Sequence, residues 1–396
     1  MGSRLAEVFA AFLKLGSTSF GGPIAHIGYF REEFVARRKW LDYRAYTDLV
    51  ALCNFLPGPA SSQVGIALGL SRAGFAGGLA AWLGFTLPSA MLLIAFAYGF
   101  SALGTSASSG WLHGLKIAAV AVVAQAVWSM GRNLCPDRVR ASFALAATLL
   151  AFALPGAWAQ LGAIAVAVVA GALLLEPPAP PAHVESAFPV GRRAALTAWV
   201  LFFGLLVLLP LARRALSMPA LDIFDSFYRS GALVFGGGHV VLPLLRNEVV
   251  PSGWVSDDAF LAGYGAAQAV PGPLFTFAAY LGAMMSRPPN GIAGGLLALG
   301  AIFLPAFLLV VGTLPFWDSL RRQAIARRAL GGVNAAVVGL LLAALYDPVW
   351  TSTIRSKADA GLALAAFGLL AFLKTPPLAV VAFAALAAAV IAPLFP

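Results

Sequence analysis

The sequence predicts an all-α polytopic membrane protein made of two homologous halves, and three observations support this fold class. The chain is too apolar for a soluble surface, long apolar runs recur along it, and one set of glycine and proline motifs occurs twice. We expect the halves to form an inverted-topology repeat. At roughly 20 residues per crossing, about ten to thirteen membrane segments are expected. Some of their helices are broken at the Phe-Gly-Gly and Pro-Gly-Pro motifs.

Composition sets the class. Of 396 residues, 60% are hydrophobic and 11% are charged, whereas soluble proteins carry about 25% charged residues. Apolar runs such as 79–100 and 378–394 approach the length of a membrane helix. The net charge of +10 comes from Arg and Lys in short loops beside these runs, which is typical of cytoplasmic loops. No soluble basic domain is present, so the lipid bilayer is the expected surrounding and nucleic acid is not an expected partner.

The repeat is carried by four landmarks that occur twice in the same order at a nearly constant separation. They are the Phe-Gly-Gly blocks at 20–23 and 235–238, Trp40 and Trp254, the Pro-Gly-Pro blocks at 56–59 and 270–273, and the Gly-x-x-Gly-Gly blocks at 74–78 and 291–295. We therefore divide the chain into a first half at 1–175, a proline-rich linker at 176–193, an extra transmembrane helix at 194–212, and a second half at 213–396.

Local patterns predict the helices of each half. In the first half we expect helices at 4–20 and about 24–39, an interrupted segment at 43–71, and spans near 75–100, 111–131, 141–156 and 158–175. In the second half we expect a helix at about 221–237, an interrupted segment at 257–286, and spans near 291–315, 330–347, 359–373 and 377–394.

Loop charges predict the inversion. Residues 101–112 carry no charge, while the matching loop at 316–330 contains four arginines and one aspartate. If basic loops face the cytoplasm, corresponding loops lie on opposite sides of the membrane. The arginine pairs at 192–193 and 213–214 flank both ends of the extra helix and leave its orientation open.

The Pro-Gly-Pro breaks predict a binding region. Unwound backbone is tolerated inside a bilayer only where it lines a cavity or is buried in protein, and matched breaks in two halves mark the binding region of inverted-repeat transporters. Each helix that starts at a break offers unpaired amides and the positive end of its dipole to a small oxyanion. A plain helix kink, or close helix packing by the glycines, remains the structural alternative.

We name substrate-binding candidates around the breaks, chosen as glycines, prolines, hydroxyls and amides at the motifs. They are Gly21, Gly22, Pro23, Asn54, Pro57, Gly58, Pro59, Ser61, Ser62, Gly236, Gly237, Gln268, Pro271, Gly272, Pro273 and Thr276.

Ionisable residues near the motifs are candidates for charge compensation and proton coupling. A charged side chain within a membrane is energetically costly, so its presence there indicates a function. These residues are His26, Arg31, Glu32, Glu33, His239, Arg246 and Glu248, with Asp48 and Arg229 as further candidates. Arg31 is the first candidate to compensate the charge of an anion. Pairing of Glu32 and Glu33 with basic neighbours at the membrane surface is the alternative.

Enzymatic chemistry is not predicted. The sequence has no phosphate-binding Gly-x-x-x-x-Gly-Lys-Ser/Thr loop, metal-ligand cluster or nucleophile constellation. We therefore expect no cofactor, no metal and a transporter driven by an ion gradient. An oxyanion channel, a transporter of another small anion and a membrane-embedded enzyme are the competing hypotheses.

These motifs resemble those of the chromate ion transporter (CHR) family in its long-chain, two-domain form. The Phe-Gly-Gly-Pro, Leu-Pro-Gly-Pro and Gly-x-x-Gly-Gly blocks and their second-half echoes carry the resemblance over nearly the whole chain. It implies a multi-pass protein of the cytoplasmic (inner) membrane that moves chromate outward by proton-motive force, with sulfate as a competitor or substrate. The resemblance is compatible with a homodimer. Gly238 stands where the first copy has Pro23, and we expect the first half to dominate coupling.

Overall fold

A computed structural model describes residues 2–103, 110–154, 157–176, 189–235 and 238–391. Every regular element in these ranges is a helix, and none is a β-strand. The predicted all-α fold is confirmed.

The described part of the first half follows the predicted order of helices. They are α1 (Gly2–Thr18), α2 (Gly22–Phe30), α3 (Tyr43–Phe55), α4 (Ala60–Leu103), α5 (Gly110–Leu134), α6 (Arg138–Ala153) and α7 (Ala157–Leu174). Helix α2 continues as a π-helical segment at Arg31–Arg37. A local break inside α4, at Ala73 and Gly74, separates the predicted interrupted segment from the following span.

The rest of the chain begins with the extra helix and repeats the plan. Its helices are α8 (Arg192–Ala215), α9 (Pro219–Ala232), α10 (Val241–Val249), α11 (Asp257–Ala269), α12 (Phe277–Ala283), α13 (Gly291–Thr313), α14 (Trp317–Arg322), α15 (Ala324–Ala344), α16 (Thr351–Thr353), α17 (Lys357–Ala371) and α18 (Pro377–Ile391). Helix α9 ends before the predicted 237, since the glycine run that follows disfavours helix. Most of the predicted linker lies outside the described residues, and the domain boundaries stay a prediction.

Five helical stretches in the described ranges are long and apolar enough to cross a membrane. They are Ala60–Ala102, Gly110–Leu134, Arg192–Ala215, Gly291–Leu320 and Ala324–Thr353. Three further apolar helices are shorter: Gly162–Leu174, Leu274–Ala283 and Pro377–Ile391. The total of about ten to thirteen membrane segments stays a prediction.

The two halves are interlocked rather than side by side. Helix α5 of the first half packs on α17 and α18 of the second, and α15 of the second half packs on α6 and α7 of the first. The contact of α5 with α18 and the contact of α15 with α7 each have a glycine at the crossing. A Cβ atom built on Gly114 would lie 2.3 Å from the carbonyl oxygen of Ala384, and one on Gly332 would lie 2.2 Å from that of Ala167. Small residues let membrane helices approach this closely. The larger buried core therefore mixes both halves.

Candidate functional site

The two Pro-Gly-Pro breaks are each bonded to the opposite half. The Gly58 amide donates a 2.7 Å hydrogen bond to the Val234 carbonyl, and the Gly272 amide donates a 2.9 Å hydrogen bond to the Ser19 carbonyl. Val234 and Ser19 are the residues that precede the two Phe-Gly-Gly motifs. Each break therefore meets the Phe-Gly-Gly motif of the other half, and the repeated motifs form one shared centre.

The glycines of the breaks have conformations that other residues adopt only with strain. Gly58 has a φ of 117° and Gly272 a φ of 90°, in the region that favours glycine. Space is also limited at both positions. A Cβ atom on Gly58 would lie 2.9 Å from Gln63 Nε2, and one on Gly272 would lie 2.9 Å from Ser89 Oγ. The backbone favours glycine at both positions, and a larger residue would also displace the side chain of Gln63 or Ser89.

The Phe-Gly-Gly motifs meet at the same centre. Gly21 and Gly22 have φ values of 100° and 73°, and α2 begins at Gly22 with Pro23 in its first turn. In the second half, a Cβ atom on Gly238 would lie 3.8 Å from Pro23 Cγ. Pro23 and Gly238 are equivalent positions of the repeat, so the two motifs face each other. Gly236 and Gly237, which we also predicted as binding residues, lie outside the described residues.

The first-half break is followed by a true helix start, as predicted. Helix α4 begins at Ala60, directly after Pro59, and Ser61 and Ser62 in its first turn are buried. The Ser61 hydroxyl lies 3.3 Å from His26 Nδ1. The positive end of this long helix is thus directed at the break.

The second-half break differs from the prediction. Pro271 and Pro273 are buried, and a three-residue 3-10 turn at Leu274–Thr276 precedes the short helix α12. The hydroxyl of Thr276 donates to the Pro273 carbonyl at 2.7 Å, so its proton is already used locally. The helix-start contribution to anion binding therefore rests mainly on the first half.

Several buried polar atoms around this centre have no hydrogen-bond partner among the described residues. They are Ser19 Oγ, His26 Nε2, Ser62 Oγ, Gln63 Oε1, Thr86 Oγ1 and Gln268 Nε2. Buried polar groups are normally hydrogen-bonded, because an unmade bond costs about 1–3 kcal/mol. All but Thr86 are at, or a few positions from, the breaks and the first Phe-Gly-Gly motif. Thr86 follows Phe85, whose carbonyl oxygen would lie 3.0 Å from a Cβ atom on Gly272. The centre is therefore suited to a polar ligand.

The two predicted amides lie in different environments, although each precedes its Pro-Gly-Pro by three residues. The Asn54 side chain is exposed on α3, whereas Gln268 is half-buried on α11. A third amide, which sequence reasoning did not single out, lies at the break itself. Gln63 is fully buried, and its Nε2 donates to the Pro57 carbonyl at 2.7 Å. This bond satisfies a carbonyl that the break leaves outside a helix.

The charged candidates of the first half divide into paired and exposed groups. Buried Glu33 accepts hydrogen bonds from Arg38 Nε at 2.7 Å and Arg37 Nη1 at 3.0 Å. Arg31 and Glu32 are exposed. The alternative that Glu33 pairs with basic neighbours is thus the arrangement that the structure has.

Burial alone would raise the pKa of the Glu33 carboxyl, which lies outside the five candidate spans. The hydrogen bond from Arg38 and the charges of Lys14, Arg38 and Arg37 outweigh burial. The pKa is therefore below its ordinary value of 4.5, and Glu33 is charged at neutral pH.

The second-half candidates are also bonded. Glu248 accepts from Ser226 Oγ at 2.7 Å and from Arg229 at 3.2 Å. Arg246 donates to Asp257 at 2.8 Å, and His239 Nδ1 lies 2.8 Å from the Tyr264 hydroxyl. Asp48 is buried on α3. Among the described residues, no group of three His, Cys, Asp or Glu side chains is placed to hold a metal ion.

Two equivalent groups of charged residues, one in each half, were not anticipated. We name the first charge cluster as Glu7, Lys14, Glu33, Arg38, Trp40 and Arg72. We name the second charge cluster as Arg213, Asp222, Asp225, Arg229, Glu248, Trp254 and Arg287.

Equivalent residues make equivalent contacts in the two clusters. Arg72 pairs with Glu7 at 3.0 Å and lies 5.4 Å from the Trp40 ring centroid. Its counterpart Arg287 pairs with Asp222 at 3.0 Å and lies 5.1 Å from the Trp254 ring.

A second pair of contacts repeats as well. Lys14 and Glu33 are 3.9 Å apart, and their counterparts Arg229 and Glu248 are 3.2 Å apart. The ionisable residues of the repeat thus form two matched ion-pair clusters.

The extra helix α8 completes the second cluster. In the first cluster, Arg38 contacts Glu7 at 3.3 Å and lies 5.8 Å from the Trp40 ring. No equivalent arginine occurs at the matching position of the repeat, which is Ser252, two residues before Trp254 as Arg38 is two residues before Trp40. Arg213 at the end of α8 takes this place, at 3.2 Å from Asp222 and 5.9 Å from the Trp254 ring. Helix α8, which has no counterpart in the first half, therefore supplies a residue that the repeat does not provide in the second half.

Comparison with known proteins identifies the family. The profile of the chromate transporter family matches residues 6–210 and 221–389, which is most of both halves. This chain belongs to the chromate transporter family. Membership makes it a multi-pass membrane transporter rather than an enzyme, and confirms the family that the motifs indicated.

Curated relatives from three bacteria are similar over most of their length. A chromate transport protein of Pseudomonas aeruginosa is 32% identical over 347 residues, covering 86% of this chain and 80% of that protein. A probable chromate transport protein of Synechococcus elongatus is 27% identical, with 86% and 84% covered. A chromate transport protein of Cupriavidus metallidurans is 27% identical, with 86% and 82% covered. No solved structure matches the chain.

Proposed function

We propose that this member of the chromate transporter family is a secondary active transporter that carries chromate across the cytoplasmic membrane. The names of its relatives support chromate as the substrate. The observation that carries the choice of site is the pair of crossed hydrogen bonds, Gly58 to Val234 and Gly272 to Ser19. They join both breaks and both Phe-Gly-Gly motifs in one centre, which both halves must share.

The proposed binding site is this centre. The Ser62 hydroxyl has no hydrogen-bond partner within the described residues, and the first amides of a helix such as α4 have no carbonyl of the same helix to bond. Neutral donors and a helix dipole suit an oxyanion that must be released again. Sulfate has the same charge and a similar shape, and we expect it to compete with chromate. Gln268, whose Nε2 is buried without a partner among the described residues, adds an amide donor.

The proposed mechanism is alternating access. In an inverted repeat, the two charge clusters would lie towards opposite membrane faces, because they occupy equivalent positions of the two halves. Breaking the ion pairs of one cluster while those of the other hold would open the centre to one side at a time. We propose proton-motive force as the driving force and efflux as the direction, with His26, next to Ser61, as the first proton carrier to test.

The test is uptake of radiolabelled chromate into inside-out vesicles, with and without an imposed proton gradient. We expect gradient-dependent uptake that excess sulfate reduces. The variant carrying Pro57→Ala and Gly58→Leu should insert in the membrane normally and lose uptake. Uptake that follows voltage alone, with no fixed ratio to protons, would instead indicate an oxyanion channel. Normal transport by the double variant would remove the centre as the site.

A further inference from the structure

A polar cavity lies away from the shared centre, where the first and second halves meet. Its volume is about 270 Å³, and its walls come from the end of α6, the start of α7, α10, and the end of α15 with the segment that follows it. Four polar residues line it: Gln160, Arg246, Asn247 and Asp347. Some of these side chains accept hydrogen bonds and others donate them, which indicates a ligand with both a donor group and an acceptor group.

Gln160 shows that the cavity is suited to a hydrogen-bond donor. It is 8% exposed, and its Oε1 is buried without a hydrogen-bond partner in the described part of the chain. A carboxamide oxygen accepts hydrogen bonds only. Asp347, which lines the same cavity, adds a carboxylate that accepts from Thr351 at 3.2 Å and has further acceptor capacity. One part of the cavity therefore suits an ammonium group.

Arg246 and Asn247 provide hydrogen-bond donors, which suit an anionic group of the ligand. Arg246 donates through Nε to Asp257 at 2.8 Å, and a guanidinium group has four further N–H donors on its two terminal nitrogens. The Asn247 amide lies beside it on α10 and lines the same cavity. Arginine is the preferred partner of phosphate, since its planar group donates two parallel bonds. The negative charge of Asp347 makes the cavity unsuitable for a free dianion such as chromate.

The cavity lies near the end of a candidate membrane span. Asp347 is near the end of the span Ala324–Thr353, and the cavity is also lined by the last turn of α6. Large apolar side chains around it are exposed: Phe152 is 51% exposed, Leu154 52% and Tyr346 60%. The rings of Phe152 and Tyr346 contact each other at 5.7 Å. Exposed aromatic residues at the ends of spans are typical of the interface with lipid headgroups.

We propose that this cavity binds the headgroup of an aminophospholipid, a phosphate linked to a primary ammonium group, as in phosphatidylethanolamine. The phosphate would contact Arg246 and Asn247, and the ammonium group Gln160 and Asp347. The acyl chains would lie against Phe152 and Tyr346. Headgroup pockets between membrane helices are a known mode of lipid recognition. The ligand would join α7 of the first half to α10 and α15 of the second.

The repeat argues that this cavity is a specific feature and not a by-product of the architecture. Because Ala167 and Ala384 occupy equivalent crossings, Gln160 corresponds to Pro377 in the second half, which has no side-chain amide. Asn247 corresponds to Glu32, an exposed acid. The matching region of the other copy therefore lacks both amides, and one site per chain is expected.

Native mass spectrometry of the full-length purified protein tests the proposal, with phosphatidylethanolamine, phosphatidylcholine and phosphatidylglycerol added in turn. We expect one tightly retained phosphatidylethanolamine per chain. Phosphatidylcholine, whose quaternary ammonium has no N–H, and phosphatidylglycerol, which has no ammonium, should be retained about tenfold less. Gln160→Leu and Asp347→Asn should each reduce phosphatidylethanolamine retention to that level.

Gln323→Leu is the matched control, since this exposed glutamine lies just before the other end of the same span. It should retain the lipid as the natural protein does. Soluble O-phosphoethanolamine should displace the lipid only at high concentration. Equal retention of the three lipids, or unchanged retention in both cavity variants, would overturn the proposal. If O-phosphoethanolamine raised the melting temperature of the protein as much as phosphatidylethanolamine does, the lipid would be excluded as the occupant.

Discussion

The amide of Gly58 in the first half donates a hydrogen bond to the carbonyl of Val234 in the second, at 2.7 Å. The reverse bond, from Gly272 to Ser19, is 2.9 Å long. Unwound backbone in a membrane protein must satisfy its polar groups without water, and here each half supplies the partner for the other. Neither break would be satisfied in an isolated half, so the repeat works as one unit.

Gly58→Ala should abolish or strongly reduce chromate transport. Gly58 has a φ of 117°, and its new Cβ atom would lie 2.9 Å from Gln63 Nε2. The left-handed backbone alone costs about 1–2 kcal/mol with a side chain, and the contact would displace the Gln63 amide from Pro57. The measurement is initial chromate uptake in vesicles, normalised to the amount of inserted protein.

Gly74→Ala is the control for Gly58→Ala. Gly74 also has a positive φ, 63°, but a Cβ atom there meets nothing within 4 Å. Gly74→Ala should lower the free energy of unfolding through a similar backbone strain and leave the affinity for chromate unchanged. Equal loss of transport in the two variants would attribute the effect to backbone strain and not to the centre.

Ser62→Ala should raise the KM for chromate by about tenfold or more, because a hydrogen bond to a charged ligand contributes about 1.5–3 kcal/mol. Ser62 Oγ is buried without a partner among the described residues, so its loss should cost little stability in the absence of substrate. Ser71→Ala, on the same helix, is the control, since that hydroxyl donates to the Leu68 carbonyl at 2.8 Å. A KM unchanged by Ser62→Ala would exclude this hydroxyl from the site.

Local signals predicted much of this architecture. Glycine and proline act on their own backbone, so the breaks at Gly58 and Gly272 could be located from sequence, and the repeat followed from their spacing. Partners across the halves could not be predicted, because a hydrogen bond such as Gly58 to Val234 depends on long-range packing. The same limit applies to Gln63, whose role requires knowing that its side chain turns back to Pro57. Arg213 was seen only as a helix flank.

Stability should fall in acid because of Glu33. Its pKa lies below the ordinary 4.5 through its basic neighbours, despite burial. A carboxyl with a lowered pKa stabilises the fold fully above its unfolded-state pKa and loses that contribution as pH falls through the folded value. The stabilisation by Glu33 should therefore be present at pH 7 and be lost progressively below about pH 4.5.

Glu33→Gln should remove this part of the pH dependence. When the assay pH is lowered from about 6 to about 3, the melting temperature of the variant should fall less than that of the natural protein. Glu32→Gln is the matched control at the adjacent exposed position, and it should keep the natural pH profile. Thermal unfolding in detergent across this range is the measurement. A profile for Glu33→Gln that follows the natural one would show that the Glu33 ion pairs do not contribute.

Because the two charge clusters are equivalent, the same substitution in each cluster should have the same effect on stability and transport. Arg72→Gln and Arg287→Gln each remove an ion pair of 3.0 Å and a contact with a tryptophan ring, in the first and second cluster respectively. Because these pairs are partly exposed, each variant should lose only about 1 kcal/mol of stability. If the clusters control access from opposite faces, each variant should slow transport several-fold while leaving the chromate KM within about twofold.

The exchange Glu7→Arg with Arg72→Glu tests whether the ion pair itself matters. Restored transport in the exchanged protein, against little transport in either single reversal, would show that attraction between positions 7 and 72 is what the cycle requires. The same exchange of Asp222 and Arg287 should give a similar, partial recovery, because each acid also contacts a second arginine that would then face a like charge. Arg38 lies 3.3 Å from Glu7 and Arg213 lies 3.2 Å from Asp222. Recovery in one cluster alone would contradict the equivalence of these two arginines.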